Sequence, residues 1–497
     1  MQLGQQFPLP RLGKLKFKNS RDLKTSHFGV GFECLDREMW DQEKAWPLID
    51  QLGIKWARCQ TGWARTEKEC GIYDFAWLDY TVDKLLEHGV NPWLSVSFGN
   101  PLYTPEMKCI REEDGGTEII KTPYHGVGFP PIHTEKERTA WKNYVHALAE
   151  HFKGRVAYYE VWNEPDLLSF WKCQPDAKEY AEFVKTTSRT IKAVDPEARI
   201  IGGAVAWGMT AWSLRWIEEC FQAGMADYID VLSYHGYKGV PERHSIQEIT
   251  AFKRLLNRYK PGLPYWQGEA GMQSYVPQEA VGMAALSSMK SSESIQARML
   301  LRRFLLEMNN GCAMTSWFHF SDFAHYATFK ATFHYGLIHL EDGTPKQAFQ
   351  AYRALATVLS DPVEPADGRT AVHMSPRANS DAAYDPRNTK AHTWQAGFIK
   401  NNIPIQAWWI PESVECEPEW QNAELNLYLE SGLKLENPVL INPADGEVYQ
   451  LEMKIDRRSC GESWMFDNPN SAGLMVFQVP LSNQPLLMTD RSLIELN

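Results

Sequence analysis

Long apolar runs are missing from this 497-residue chain. No stretch reaches the roughly 18 to 20 residues that a membrane-spanning helix requires. Met1 to Arg11 likewise lacks the apolar segment of a secretory signal, so the expectation is a soluble, untargeted, cytoplasmic protein with no membrane partner. Cysteine is sparse and irregular. Nine thiols, an odd number, are scattered at 34, 59, 70, 109, 173, 220, 312, 416 and 460 with no C-x-x-C. That excludes a disulfide framework or a zinc ribbon and favours a reducing compartment. Positive charge is in deficit: 51 Lys and Arg face 62 Asp and Glu, a net charge of −11. Such a surface repels phosphate backbones, so no nucleic-acid partner is expected. His27, His319, His325 and His334 form no H-x-H or H-E-x-x-H pattern, and neither a metal nor another cofactor is expected. With 44% hydrophobic and 23% charged residues, the chain has an ordinary globular composition and ample length for a large core.

From residue 26 to about 361, short apolar runs alternate with helical periodicity, the pattern of repeated βα units around a parallel sheet. Eight candidate strands are read at Phe28 to Cys34, Ile54 to Gln60, Pro92 to Phe98, Val156 to Trp162, Ile200 to Trp207, Ile229 to His235, Tyr265 to Glu269 and Cys312 to Phe318. Eight candidate helices follow them, beginning with Met39 to Leu52. In the third, Lys136 to Phe152, the residues Trp141, Tyr144, Val145, Leu148 and Phe152 share one face. Thr134 and Glu137 supply a capping box before that helix, and Ser245 with Glu248 repeats the signal before the sixth. Gly53, Gly89, Gly154 and Gly311 stand where helices should end in a left-handed cap.

Eight such units predict an α/β fold, a (β/α)8 TIM barrel over residues 21–365. The loops after strand 3 (Gly99 to His133), strand 7 (Ala270 to Glu293) and strand 8 (Ser321 to Pro345) exceed the usual upper length of about 12 to 15 residues. All three belong to the C-terminal rim, where barrel enzymes keep their active sites. After Pro362 the pattern turns β-rich, with Asp445-Gly446 as a hairpin signal. We expect an antiparallel β-sandwich over 366–497, with residues 1–20 returning to pair with it. Of its neighbouring Trp408 and Trp409, strand alternation predicts that one is buried.

The chemistry begins at Val161-Trp162-Asn163-Glu164-Pro165-Asp166, because Glu164 falls at the C-terminal end of strand 4. A second carboxylate, Glu269 in Trp266-Gln267-Gly268-Glu269-Ala270-Gly271, ends strand 7. Two rim glutamates can converge across a barrel mouth, and glycoside hydrolysis needs such a pair. One acid protonates the leaving oxygen while one carboxylate attacks, or activates water at, the anomeric carbon. A pyranose has an apolar face that stacks on indole, which makes Trp63, Trp207 and Trp317 stacking candidates. Glu160, inside strand 4, reads more simply as a buried carboxylate paired with a barrel arginine.

With these motifs in order, the barrel resembles the retaining (β/α)8 glycoside hydrolases of clan A, and within them family 39, which includes β-xylosidases and α-L-iduronidases. Further matching segments are Trp56-Ala57-Arg58, Phe98-Gly99-Asn100-Pro101, Tyr234-His235-Gly236-Tyr237, Ser316-Trp317-Phe318-His319-Phe320-Ser321-Asp322, and His334-Tyr335-Gly336-Leu337 running to Lys346. The resemblance implies Glu164 as acid/base, Glu269 as nucleophile and Asn163 as partner of the sugar 2-hydroxyl. It implies Tyr237 of His235-Gly236-Tyr237 and Arg58 as supports of the nucleophile, Asn100 among the substrate contacts, and Trp317 as the platform under the sugar. Gln60 departs from the family, whose members often carry histidine there. The substrate implied is a carbohydrate, cleaved by a β-glycosidase of xylosidase, glucosidase or galactosidase type, and the long loops after strands 3, 7 and 8, walling one end of the cleft, favour exo action. A transglycosylase using the same intermediate and an endo-acting glycanase remain open. A silent carbohydrate-binding protein is disfavoured, since both glutamates are present.

Overall fold

The computed structural model of the protein describes residues 9–110, 116–121, 128–171, 174–276, 290–324, 332–360, 362–376, 393–456 and 474–497. Parts of the three long rim loops, and His325 with them, lie outside the described residues. Eight parallel strands close into a barrel. They are β1 (Phe28–Gly31), β2 (Trp56–Gln60), β3 (Asn91–Val96), β4 (Tyr158–Val161), β5 (Arg199–Val205), β6 (Val231–His235), β7 (Tyr265–Glu269) and β8 (Met314–Trp317), and β8 pairs with β1 to complete the ring.

Inside the barrel, side chains two residues apart stack in layers, because strand side chains alternate faces. The lower layer is apolar, with Trp56, Trp93, Tyr158, Ile201, Val231, Trp266 and Met314 packed together. Two residues further along the same strands the layer turns polar: Arg58, Ser95, Glu160, Ser233, Gly268 and Ser316. Gly268 sits where a Cβ would come within 2.5 Å of Ser233 Oγ and 3.3 Å of Glu160 Oε1. A side chain there would fill the space the polar layer needs. The β6–β7 register slips between Gln267 and Glu269, a bulge of the kind that re-aims a side chain at a sheet's end.

Among the described residues the helices longer than one turn are α1 (Ala76–Glu87), α2 (Glu135–Phe152), α3 (Ala177–Val194), α4 (Ala211–Gln222), α5 (Ser245–Tyr259), α6 (Glu293–Asn309) and α7 (Gln347–Leu359). In α2 the face read from the sequence is the buried one, each large apolar side chain contributing about 1.5 to 3 kcal/mol. Thr134 Oγ1 accepts from Glu137 N at 3.2 Å. Gly89 takes φ +74, where a Cβ would meet Arg21 Cα at 2.9 Å, so only glycine fits that turn. Two expectations fail. Met39 to Leu52 is no α-helix but two 3₁₀ turns, Gln42–Lys44 and Ile49–Leu52. Pro47 lies between them, lacks an N–H and crowds the preceding turn. Before α5, Ser245 does not cap: the N-cap is His244 at φ +59, with no side-chain hydrogen bond.

Beyond the barrel, two antiparallel sheets form the C-terminal sandwich. The seven-stranded sheet includes Trp394–Lys400, Ile403–Trp409, Pro438–Asn442, Glu447–Gln450 and Leu486–Asp490. It also takes in Glu364–Pro365 at one edge and the N-terminal strand Arg11–Lys14 at the other, the latter pairing with Glu447–Gln450. The four-stranded sheet comprises Thr370–Pro376, Gln421–Leu429, Lys454–Asp456 and Leu474–Leu481. Contrary to the alternation argument, Trp408 and Trp409 are both buried. They do point to opposite faces, but both faces are covered. Trp408 joins the core between the two sheets, while Trp409 joins the core shared with the barrel. Among the described residues no helix is long and apolar enough to cross a membrane, and six cysteines are free thiols.

Candidate active site

Arg58, wholly buried in the polar layer, organises the mouth of the barrel. Its Nε donates to Glu160 Oε2 at 2.6 Å, its Nη1 to Glu269 Oε2 at 2.7 Å and to Glu33 Oε1 at 3.1 Å, and its Nη2 to Asn163 Oδ1 at 3.0 Å. Burial alone would lower its pKa, yet Glu160, Glu269 and Glu33 outweigh it and hold the guanidinium charged. Glu160 is thus the arginine-paired carboxylate read from the sequence. Asn163 has its carboxamide oxygen on Arg58, which turns the amide nitrogen into the side chain's remaining donor. Replacing Arg58 by Met is expected to cost about 3 to 5 kcal/mol, because buried carboxylates would lose their counter-charge; urea denaturation of the variant measures it.

Glu164 and Glu269 meet above this arginine. A carboxylate oxygen of each and a ring nitrogen of His235 lie within 4.8 Å of one another. His235 Nδ1 is 2.9 Å from Glu164 Oε1 and 3.7 Å from Glu269 Oε2. The Tyr237 hydroxyl donates to Glu269 Oε1 at 2.7 Å. Trp162 and Glu164 adopt φ +69 and +45, a region non-glycine residues rarely occupy and one that clusters at functional sites.

The environments of the two glutamates differ. Burial pushes the Glu164 carboxyl up to about 7, against the pull of Arg58. Glu269 is approached by two donors, Arg58 and Tyr237, which compensate negative charge on it. His235 is shifted down by burial, against the field of Glu269, and so remains neutral near pH 7. Burial and the charge of Glu269 raise the Tyr237 phenol well above its usual value, so it stays a donor. Among the described residues, Glu164, His235 and Glu269 are the one set close enough to share a metal ion. Arg58 already sits on Glu269, and its positive charge opposes a cation there.

The structure brings together Arg58, Asn163, Glu164, His235, Tyr237 and Glu269. Trp207 is 55% exposed and bridges to Gly236 at the rim, where an indole face is open to a ligand. Gln60 lies at the end of β2 with its carboxamide oxygen taken by Arg37 Nη2 and the Cys34 amide. Two assignments are corrected. Trp317 has no exposed surface; its indole N–H donates to Tyr335 O at 3.2 Å and its ring packs on Phe304, so no sugar face can reach it. Asn100 is likewise internal, its Nδ2 donating to Glu67 O at 2.8 Å and its Oδ1 accepting from Leu102 N at 2.9 Å. It latches a loop. Trp63, stacked on Tyr103 and Tyr144, is also a packing residue.

Sequence reasoning passed over three residues. Glu33, two residues past β1, shares Arg58 Nη1 with Glu269, and burial pushes it up to about 8 despite Arg58, the charge of Glu269 adding to the rise. A rim acid was the signal that singled out Glu164, and the same signal applies to Glu33. Tyr335 and Phe318 are half-buried, with rings 5.5 Å apart and Tyr335 6.3 Å from Tyr237. Burial, with the charges of Glu269 and Glu164, pushes the Tyr335 phenol up to about 12.

A closed (β/α)8 barrel with paired rim glutamates and an arginine beneath them is the arrangement that hydrolysis of a glycosidic bond uses in enzymes of the barrel class. The sequence model described as Glycosyl hydrolases family 39 matches residues 28–363. The chain belongs to this family and is a glycoside hydrolase. It is 26% identical over 387 residues, 69% of either protein, to a β-xylosidase of Geobacillus stearothermophilus. In fold it is similar to a family 39 glycoside hydrolase from the gut symbiont Bacteroides cellulosilyticus WH2, with a TM-score of 0.61 at 18% identity over 94% of this chain and 81% of that one. It is also similar to a family 39 β-xylosidase from Caulobacter crescentus, with a TM-score of 0.55 at 18% identity over 96% and 97% of the two chains.

Proposed function

We propose that the protein is a retaining, exo-acting β-glycosidase whose substrates are β-xylosides or closely related β-glycosides. One observation carries the retaining part of this reading: an oxygen of Glu164 and an oxygen of Glu269 lie within 4.8 Å of each other. Retaining enzymes keep their carboxyls about 5 to 5.5 Å apart, whereas inverting ones leave about 6.5 to 9.5 Å for a water. Glu269 attacks the anomeric carbon as the glycosidic bond breaks, and Glu164 gives its proton to the departing oxygen. Glu164 then takes a proton from water, which attacks the same carbon and releases Glu269 from its ester. The Asn163 amide nitrogen faces the role of donor to the 2-hydroxyl. Tyr237 and Arg58 hold Glu269 in line and take up its charge as it leaves. The β-xylosidase relatives support the choice of sugar, and the long rim loops support cleavage at chain ends.

A panel of aryl β-xylosides, glucosides, galactosides and arabinosides tests this, with the first-formed anomer followed by proton NMR. The expected result is fastest turnover of the β-xyloside with the β-anomer of the free sugar appearing first. Initial release of the α-anomer would reject the retaining assignment.

A further inference from the structure

The loop between β6 and α5, residues 236–244, carries Tyr237 and is anchored at both ends. At its start Gly236 N donates to Glu269 O at 2.8 Å, and Gly236 lies so close to Arg303 that a Cβ would come within 2.6 Å of Nη1. Toward its other end stands Glu242, a carboxylate only 5% exposed. Its Oε1 accepts from Arg302 Nε at 2.7 Å and from Trp409 Nε1 at 2.7 Å, and its Oε2 accepts from Arg302 Nη2 at 2.6 Å. Arg302 itself is fully buried, and its Nη1 donates to Glu412 O at 2.7 Å. One turn earlier on α6, Arg298 Nη2 donates to Val414 O at 2.8 Å.

Three elements therefore meet on one carboxylate: the Tyr237 loop, helix α6, and the sandwich strand that ends at Trp409. The bidentate guanidinium and the indole leave Glu242 little freedom to move, since charge-assisted, two-point pairs fix geometry as well as energy. A buried carboxylate has no aqueous alternative to these partners. Glu242 is five residues from Tyr237, and Gly236 is hydrogen-bonded to the main chain of Glu269, so a shift of the loop is felt at the 2.7 Å contact between the Tyr237 hydroxyl and Glu269.

We propose that the sandwich is part of the positioning machinery of the active site: Trp409 and Arg302, acting through Glu242, hold the loop that aims Tyr237 at Glu269. Glu242, Arg302 and Trp409 are positioning residues, none of them touching the substrate. The inference rests on the reading of Glu269 as nucleophile and of Tyr237 as its support.

A double-mutant cycle on the full-length enzyme tests it, with kcat normalised to active sites by burst titration so that any unfolded fraction drops out. Glu242→Gln and Trp409→Phe are each combined with Tyr237→Phe. Misplacing a positioned group by about 1 Å costs on the order of 100-fold, and we expect Glu242→Gln to lower kcat by at least about tenfold with little change in KM, and Trp409→Phe to lower it less. In the Tyr237→Phe background both effects should shrink to about twofold or less, because coupled residues are non-additive. Equal losses in the two backgrounds, or no loss of kcat in Glu242→Gln, would overturn the inference while leaving the role of Tyr237 intact. If Tyr237→Phe alone leaves kcat unchanged, the underlying reading of the site fails and the inference with it.

Discussion

Replacing Glu269 by alanine should lower kcat by about 10⁴-fold or more, the scale on which loss of a covalent nucleophile acts in other enzymes. The reason is mechanistic rather than structural. Arg58 also pairs with Glu160 at 2.6 Å and Glu33 at 3.1 Å, so the guanidinium is expected to keep partners in the variant and the barrel its polar layer. The space vacated by the carboxylate faces the anomeric carbon. Azide added to the variant is expected to attack from that side and to yield a glycosyl azide of inverted configuration, which proton NMR identifies. Activity near the wild-type level in Glu269→Ala would remove Glu269 from the mechanism.

The second large effect belongs to Glu164 and is read through pH. Its carboxyl is raised from 4.5 to about 7 by burial, so the proton it must donate is present below that range and lost above it. For the wild-type enzyme, kcat/KM should fall as pH rises through about 7, and this basic limb should be absent in Glu164→Ala. A glycoside whose leaving group needs no protonation should still form the covalent intermediate in the variant. Its hydrolysis should slow by about 10² to 10⁴-fold, the usual worth of a general base, so the intermediate accumulates. Linkage gives a companion sign. A carboxyl whose folded pKa is raised contributes stability below its unfolded pKa and loses it as pH rises through the folded value. Glu164→Gln should therefore gain stability relative to wild type between pH 5 and pH 8, measured by thermal unfolding. A basic limb that persists unchanged in Glu164→Ala would assign the proton to another group.

The contrast between what the chain reveals and what it hides follows from the range of each interaction. Strand ends were readable because β and α periodicities differ and because β7, Tyr265–Glu269, is bounded by turn residues on both sides. The meeting of Glu164 and Glu269 at the barrel mouth is legible because both acids end barrel strands, whose C-terminal ends converge on one rim. Trp317 was misjudged because position along a strand does not say which of two neighbours faces the mouth; its successor, Phe318, is the half-buried one. Asn100 was misjudged because a rim position says nothing about which backbone groups a loop brings within reach of a carboxamide. Glu33 and the Glu242–Arg302–Trp409 junction join residues far apart in sequence, Glu242 reaching Trp409 across 167 positions. No local periodicity encodes such contacts. The paired fates of Trp408 and Trp409 make the same point, since alternation gave their opposite directions but could not show that the barrel covers the outer face of the sheet.

The most direct test of the central claim is to trap the intermediate. An aryl 2-deoxy-2-fluoro-β-glycoside of the sugar preferred in the panel slows both steps, and with a good leaving group it slows the second more, so the glycosyl ester persists long enough for peptide mass mapping. One sugar per chain attached to the peptide that contains Glu269, and none in Glu269→Ala, is the predicted result. A label on any other residue, or turnover of the preferred β-glycoside with no covalent species formed, would contradict it.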